Sequence, residues 1–187
     1  MSRTLNALAL TLLIPAALAA QHPQTRQGFG IGFGFGAGSA GFCDGCDDQG
    51  GTELSGYLRL GGYLNPSLFL AGETNGWMGS QIDTPSSLGA IMGVVQWYPM
   101  VERGLYLKGG VGYSYANASD GSDISTSGLA VSVGAGYDFR VARNFALTPY
   151  INYLQQLGGQ YAYAGGEDTG PDANVHLFQF GLGLTWF

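Results

Sequence analysis

Strict alternation of apolar and small residues constrains the fold of this chain more than any other feature. Between Gly28 and Gly38, Phe29, Ile31, Phe33 and Phe35 occupy one face, and the opposite face carries only glycine. Residues two apart share a face in a β-strand, whereas an α-helix would scatter these phenylalanines around its circumference. The segment is therefore predicted to be a β-strand with one apolar face and one nearly bare face.

The same alternation recurs in seven further segments, so we predict eight strands in total. The other seven are Glu53–Leu64, Leu68–Trp77, Leu88–Tyr98, Leu105–Tyr115, Ser127–Phe139, Phe145–Gln155 and Asn174–Phe187. The segment Leu88–Tyr98 is apolar on both faces, so which of its faces points inward stays open. The 33 glycines among 187 residues argue against a helical protein, because each glycine inside a helix costs roughly 1 kcal/mol relative to alanine.

The connections between these segments alternate in length. Three are short turns at residues 65–67, 99–104 and 140–144, and four are longer polar loops at residues 42–52, 78–87, 116–126 and 156–173. Short turns at one end and long loops at the other indicate an up-and-down meander, as in outer-membrane barrels. Strands of about 11 residues also match the roughly 9–11 residues that cross a bilayer at a tilt. We predict an all-β, eight-stranded antiparallel transmembrane β-barrel.

The N-terminal residues have the pattern of an export signal. Arg3 precedes a mostly apolar run at residues 7–14, and Ala17-Leu18-Ala19 supplies small residues before a cleavage site at Ala19 or Ala20. Such a run is too short to cross a bilayer as a helix. We predict a signal peptide at residues 1–20, an unstructured lead-in at 21–27 and the barrel at 28–187, which places the mature protein in the outer membrane.

Periodicity alone fits both a membrane barrel and a soluble barrel, so the orientation of the faces needs other observations. The non-apolar face is mostly glycine, serine and alanine, with too few charges to solubilise a barrel exterior. Aromatic residues also collect near both strand ends, as at membrane interfaces. Those near the short turns are Tyr63, Phe69, Trp97, Tyr98, Tyr137, Phe139, Phe145 and Trp186, and those near the long loops are Trp77, Tyr113, Tyr115 and Tyr153. Tyr63, Phe69 and Trp77 have the parity of the enclosed face and therefore count for less. We predict that the apolar face meets lipid and that membrane lipids surround the barrel.

The few charges on the enclosed face are predicted to pair. A hairpin centred on Pro66 puts Arg59 opposite Glu73, and Lys108 would face Asp138 if the third long loop is centred near residue 123. Buried charges persist only when they are paired. We therefore predict two interior ion pairs that, with large side chains opposite bare glycines, leave no open water channel.

Three local motifs invite a chemical interpretation. Cys43 and Cys46 lie in the first long loop, where a disulfide is the default in an oxidising compartment; a redox pair or half of a metal site is the alternative. Residues Gly36–Gly41 satisfy a dinucleotide fingerprint, which has meaning only between a strand and a helix and here follows from glycine alternation. His176 could join Asp172, Ser122 or Ser125 in a hydrolase site, but no spacing forces them together.

We accordingly predict no catalytic residue, no cofactor and no metal. The long loops are acidic, and they form a candidate surface for an extracellular ligand or a divalent cation, with solubility as the simpler explanation. Counted with Glu53 at the mouth of the second strand, their acids are Asp44, Asp47, Asp48, Glu53, Asp83, Asp120, Asp123, Glu167, Asp168 and Asp172. A net charge of −6 makes nucleic acid an improbable partner.

The signal peptide, the eight segments and the terminal Phe178–Phe187 together resemble the bacterial outer-membrane β-barrel superfamily, in particular its small OmpA-like and OmpX-like members. The resemblance implies that the barrel-assembly machinery reads the C-terminal strand ending in Phe187, although Phe187 lies on the opposite face from Leu184 and Trp186. Members serve as structural proteins, adhesins, narrow channels or, rarely, enzymes. We expect a structural or surface-interaction role, with a narrow OmpW-like channel for small or apolar molecules as the alternative and a lipid-modifying enzyme as the third option.

Overall fold

The computed structural model describes residues 26–41, 52–81, 84–119, 123–159, 162–163 and 174–187. Strands account for most of them. They are β1 (Gly28–Gly41), β2 (Glu53–Asn65), β3 (Leu68–Gln81), β4 (Thr84–Trp97), β5 (Leu105–Ser119), β6 (Asp123–Tyr137), β7 (Phe139–Ala142), β8 (Phe145–Leu157), β9 (Ala162–Tyr163) and β10 (His176–Trp186). In this part of the chain no helix is long and apolar enough to cross a membrane.

The strands form a closed antiparallel barrel. β1 pairs with both β2 and β10, and β8 pairs with β6, β7 and β10, so the sheet closes on itself. β6 and β7 are two parts of one barrel strand, separated by Asp138, and β9 only extends the edge of β6. The barrel therefore has eight strands in up-and-down order, which confirms the predicted fold.

The apolar faces point outward along the barrel. Phe35 is 66% exposed and Val111 is 67% exposed, whereas the glycines between the phenylalanines of β1 line the interior. The bare face of β1 makes room for large inward side chains. A Cβ at Gly34 would stand 2.8 Å from the ring of Tyr150, and that ring packs edge-on against Tyr57 with their centroids 4.8 Å apart.

The strands run further toward the long loops than the apolar pattern predicts. β3 and β4 pair as far as Gln81 and Thr84, and β5 and β6 pair as far as Ser119 and Asp123. Most residues of the two predicted loops at 78–87 and 116–126 thus belong to strands. The reason is that backbone hydrogen bonds continue a ladder through polar residues once the hairpin register is established.

The structure also determines the orientation of β4. Leu88, Met92 and Val94 are buried inside the barrel, whereas Ile91 and Val95 are exposed on its outer face. β4 thereby gives one side of the interior an apolar lining. Tyr98, which we predicted among the aromatic residues at the membrane interface, follows the same parity and is only 1% exposed, so that prediction was wrong.

Candidate functional site

Three charged side chains meet in the middle of the interior, and we call Arg59, Glu73 and Lys108 the ion cluster. The β2–β3 register pairs Arg59 with Glu73, as the hairpin spacing predicts. Arg59 Nη2 lies 2.5 Å from Glu73 Oε2, and Arg59 Nε donates to the same oxygen at 2.6 Å. The second carboxylate oxygen accepts hydrogen bonds from Lys108 Nζ at 2.5 Å and from Asn75 Nδ2 at 3.0 Å.

The predicted pairing of Lys108 with Asp138 was wrong. The β5–β6 ladder places Lys108 opposite Gly134, because the register of this hairpin is centred at residue 121 and not at residue 123. Lys108 instead reaches across the lumen from β5 to Glu73 on β3. One carboxylate therefore serves both cations, and Asp138 belongs to a separate cluster nearer the short turns.

Asp138 is held by hydroxyl groups. Tyr98 donates to its Oδ2 at 3.0 Å and Thr148 donates to its Oδ1 at 2.8 Å, while Thr185 Oγ1 lies 2.9 Å from the Thr148 hydroxyl. Burial and the neighbouring Asp138 carboxylate raise the pKa of Tyr98 well above its usual value. The Tyr98 hydroxyl consequently keeps its proton and remains a donor.

The short-turn end of the lumen is closed by residues that sequence reasoning did not assign there. Arg26, which we placed in the lead-in, is buried and donates to the backbone oxygens of Val101 and Arg103 at 3.1 and 2.8 Å. Its guanidinium also lies 3.7 Å from the centroid of the Tyr98 ring. The sequence around Arg26 does not predict these hydrogen bonds, because the acceptors lie in a turn 75 or more residues away.

Phe187 and Arg140 complete this closure. The Phe187 ring stands 6.0 Å from the Tyr63 ring and lies under the Arg140 guanidinium at 5.1 Å. Arg140 was predicted to lie in a short turn, but it belongs to β7 and is buried. Arg140 lies two residues after the inward-facing Asp138, and residues two apart in a strand point to the same face. This spacing was the signal available in the sequence.

Uncharged polar side chains fill the half of the lumen nearer the long loops. Asn152 Nδ2 donates to Gln179 Oε1 at 2.9 Å and also lies 3.4 Å from Asn75 Oδ1. Gln156 accepts from Ser114 at 2.9 Å and donates to Thr126 at 3.1 Å. The described lumen is thus crossed by hydrogen-bonded side chains at three levels.

The outer surface carries aromatic rings near both ends. At the short-turn end Trp97 and Trp186 are 50% and 56% exposed, and Phe145 packs against Trp186. At the long-loop end Tyr113 and Tyr153 face outward. Trp77, Tyr63 and Phe69 instead point inward, in agreement with their parity, and Trp77 Nε1 donates to Gly38 O at 2.8 Å.

The remaining candidate residues lie mostly outside the described residues. Those outside are Cys43, Cys46, Asp172, Ser122 and most of the loop acids. His176 begins β10 and stacks on the Tyr153 ring at 6.2 Å. Among the residues that the structure describes, no three His, Cys, Asp or Glu side chains are grouped to hold a metal ion. Residues Gly36–Gly41 run within β1, so the glycine pattern there does not open a helix.

Comparison with known proteins agrees with this architecture. Among solved structures, the neisserial surface protein A (NspA) matches with a TM-score of 0.66 and 17% identity, covering 87% of this chain and 98% of that chain. Ail, the attachment invasion locus protein of Yersinia pestis, matches with a TM-score of 0.56 and 16% identity, covering 87% of this chain and 100% of its own. At these identities the likeness shows a shared fold.

A search of curated proteins gives no significant match. The family model described as "Outer membrane protein beta-barrel domain" matches residues 7–185. This match spans nearly the whole sequence and includes all of the barrel strands except the last residue of β10. The chain therefore belongs to the outer membrane protein beta-barrel domain family.

Proposed function

We propose that this protein is an integral outer-membrane barrel that displays its long loops at the cell surface and keeps its lumen sealed. The ion cluster carries the proposal, because Glu73 binds Arg59 from β2 and Lys108 from β5 across the lumen. Arg26 and Phe187 close the short-turn end. A lumen crossed in this way supports a structural or surface-interaction role over transport of solutes.

The loops are the part of the proposed protein that meets a partner. NspA is named as a surface protein and Ail as an attachment invasion locus protein, and both names support a role at the cell surface. The acidic loop residues make a cationic extracellular ligand or a divalent cation the favoured partner. A disulfide between Cys43 and Cys46 would hold the first loop in shape.

Export and assembly complete the proposal. Residues 1–20 act as a cleaved signal peptide, and the C-terminal strand ending in Phe187 is the segment that the barrel-assembly machinery reads. Lipids of the outer membrane then surround the apolar face. No catalytic activity is assigned, and a His176→Ala variant should leave the lipid profile of the membrane unchanged.

Planar-bilayer recording tests the sealed lumen. The purified wild-type protein, verified by heat-modifiable gel migration, should give no stable conductance steps. Steps that are reproducible from barrel to barrel would contradict the proposal and favour the narrow channel for small or apolar molecules.

Epitope tagging tests the proposed orientation. A tag inserted between residues 165 and 173 should be labelled on intact cells, whereas a tag in the turn at residues 99–104 should need a permeabilised outer membrane. Co-fractionation with outer membranes is the matching control. Labelling of the short turn on intact cells would contradict the assignment of the loops to the outside.

A further inference from the structure

A groove crosses the outer face of β2, β3 and β4 near the strand ends that lead to the long loops. Its volume is about 720 Å³, within the roughly 300–1,000 Å³ of typical small-ligand pockets. Three outward-facing glycines lie in register along it, since Gly56 pairs with Gly76 and Gly76 pairs with Gly89. Aromatic rings lie against the two outer glycines, so Gly76 is the uncovered one. The groove therefore runs across the strands at one level of the barrel wall.

Two aromatic rings limit the groove at its ends. Phe35 pairs with Gly56 on the β1 side, and Tyr115 pairs with Gly89 on the β5 side, where its ring lies against that glycine. The centre is unfilled, because a Cβ built on Gly76 would have no heavy atom within 4 Å. No neighbouring side chain of the described residues occupies the space above Gly76.

The long edges of the groove are mainly apolar. Leu54 and Met78 pair on the edge nearer the long loops, and Leu58 pairs with Thr74 on the other edge. Leu54 and Met78 are 57% and 65% exposed, so both contribute to the lipid-facing belt. The groove is thus continuous with the surface that the barrel presents to the bilayer.

The shape of the groove indicates which kind of molecule can fill it. With neighbouring strands about 4.8 Å apart, Gly56 and Gly89 are only about 10 Å apart, and the rings that lie against them narrow the open gap to the space above Gly76. The convex wall of a second barrel would rest on Phe35 and Tyr115 and leave Gly76 untouched. A flexible methylene chain can enter the gap, lie on Gly76 and recover the dispersion contacts that an unfilled groove forfeits.

We propose that this groove binds one acyl chain of an outer-leaflet lipid. The inference rests on the proposed function, because the long loops must face outward for the groove to lie in the outer leaflet. Ser87 pairs with Met78 on the edge nearer the loops. Ser87 also lines the groove, and we expect it to meet the ester linkage as the chain passes from the headgroup region to Gly76.

The strand β3 offers a matched pair of positions for the test. Gly76 and Gly72 both face outward on this strand, and a Cβ at either position meets nothing within 4 Å. Gly76 lies in the groove, whereas Gly72 lies outside it and pairs with Gly93. Phenylalanine at Gly76 should fill the groove, and phenylalanine at Gly72 should leave it open.

Native mass spectrometry of the delipidated barrels, titrated with dimyristoylphosphatidylethanolamine in detergent, measures the binding. The wild-type protein and Gly72→Phe should each retain one lipid with similar affinity, and Gly76→Phe should bind at least tenfold more weakly. Gly76→Leu and Gly72→Leu repeat the comparison with a smaller side chain if a phenylalanine variant loses its heat-modifiable migration.

Equal lipid retention by wild type, Gly76→Phe and Gly72→Phe would overturn the proposal that the groove binds an acyl chain, and it would leave the proposed function intact. A dimer mass that is lost only in Gly76→Phe would overturn it as well, because the occupant would then be a second copy of the chain. Failure of the wild-type protein to float with phospholipid vesicles would overturn the proposed function and this inference together.

Discussion

Glu73 is the residue on which the interior charge balance depends. Both of its oxygens are occupied, one by Arg59 and the other by Lys108 and Asn75. Its side chain is 0% exposed and those of the two cations are each 4% exposed. Since a buried charge without a partner is strongly destabilising, the three residues form one unit rather than independent pairs.

We therefore predict that Glu73→Gln is the most damaging single change in the ion cluster. It leaves two buried cations without a carboxylate, so the free energy of unfolding should fall by about 3–5 kcal/mol. Arg59→Met should cost less, because Glu73 keeps Lys108. Urea unfolding of the barrels in lipid vesicles, followed by tryptophan fluorescence, gives both values. A larger loss for Arg59→Met would show that Glu73 is not shared.

Double-mutant cycles distinguish the two acidic clusters. Lys108→Met and Glu73→Gln should show a coupling of about 0.5–3 kcal/mol, as residues in contact do. Lys108→Met and Asp138→Asn should add to within about 0.3–0.5 kcal/mol, because Asp138 is bonded to Tyr98 and Thr148 instead. The same unfolding measurement applies to both cycles. Strong coupling in the second cycle would restore the pairing predicted from the sequence.

At the scale of elements, the short-turn end is held by contacts between segments far apart in the chain. Arg26 precedes β1 but bonds the turn between β4 and β5. Asp138 interrupts the strand formed by β6 and β7, and its backbone N donates to Gly104 O at 2.9 Å. The β4–β5 turn is thereby held by hydrogen bonds from both Arg26 and Asp138.

Removing one of these fastenings should loosen the turn. Arg26→Ala deletes two hydrogen bonds from a charged donor, each worth about 1.5–3 kcal/mol. Local opening should become at least about tenfold more frequent, and trypsin should cleave after Arg103 correspondingly faster. Arg143→Ala, at an exposed position in the neighbouring turn, is the control and should leave cleavage after Arg103 unchanged. Equal rates in both variants would contradict the role of Arg26.

On the scale of the whole molecule, the polarity of a soluble protein is inverted. Large apolar side chains cover the outside, and charges and amides lie within. This arrangement is stable where the surrounding solvent is hydrocarbon and every backbone group is paired in a closed sheet. The three tryptophans lie on both faces of the barrel. Trp77 faces the lumen and is 1% exposed, whereas Trp97 and Trp186 face outward and are 50% and 56% exposed.

Quenching by brominated-acyl phospholipids should separate these tryptophans. In variants that keep a single tryptophan and carry phenylalanine at the other two positions, the fluorescence of Trp97 and Trp186 should be quenched and that of Trp77 should not. The same variants in non-brominated vesicles are the control. Strong quenching of Trp77 alone would mean that the faces of the barrel are reversed.

The sequence is sufficient wherever a property depends on local period or on a short turn. Alternation predicts the eight strands and their outward faces, because side-chain direction in a strand repeats every two residues. The pairing of Arg59 with Glu73 also agrees with the sequence-based hairpin centred on Pro66, although the register shifts between Tyr63 and Asn65 next to the turn. The ends of β3, β4, β5 and β6 did not follow, because polar residues carry no period that distinguishes a ladder from a loop.

Only the tertiary structure decided which groups meet across the lumen. The contact between Lys108 and Glu73 and the closure by Arg26 depend on which segments become opposite when the barrel closes. The inward face of β4 depends on its register with β3, which pairs Leu88 with the inward-facing Trp77. Closure sets the lumen width and the relative heights of distant strands, and neither quantity is encoded in a local pattern. The sequence by itself thus determined the strands of this protein and their outward faces, and the barrel geometry decided which side chains contact each other in the lumen.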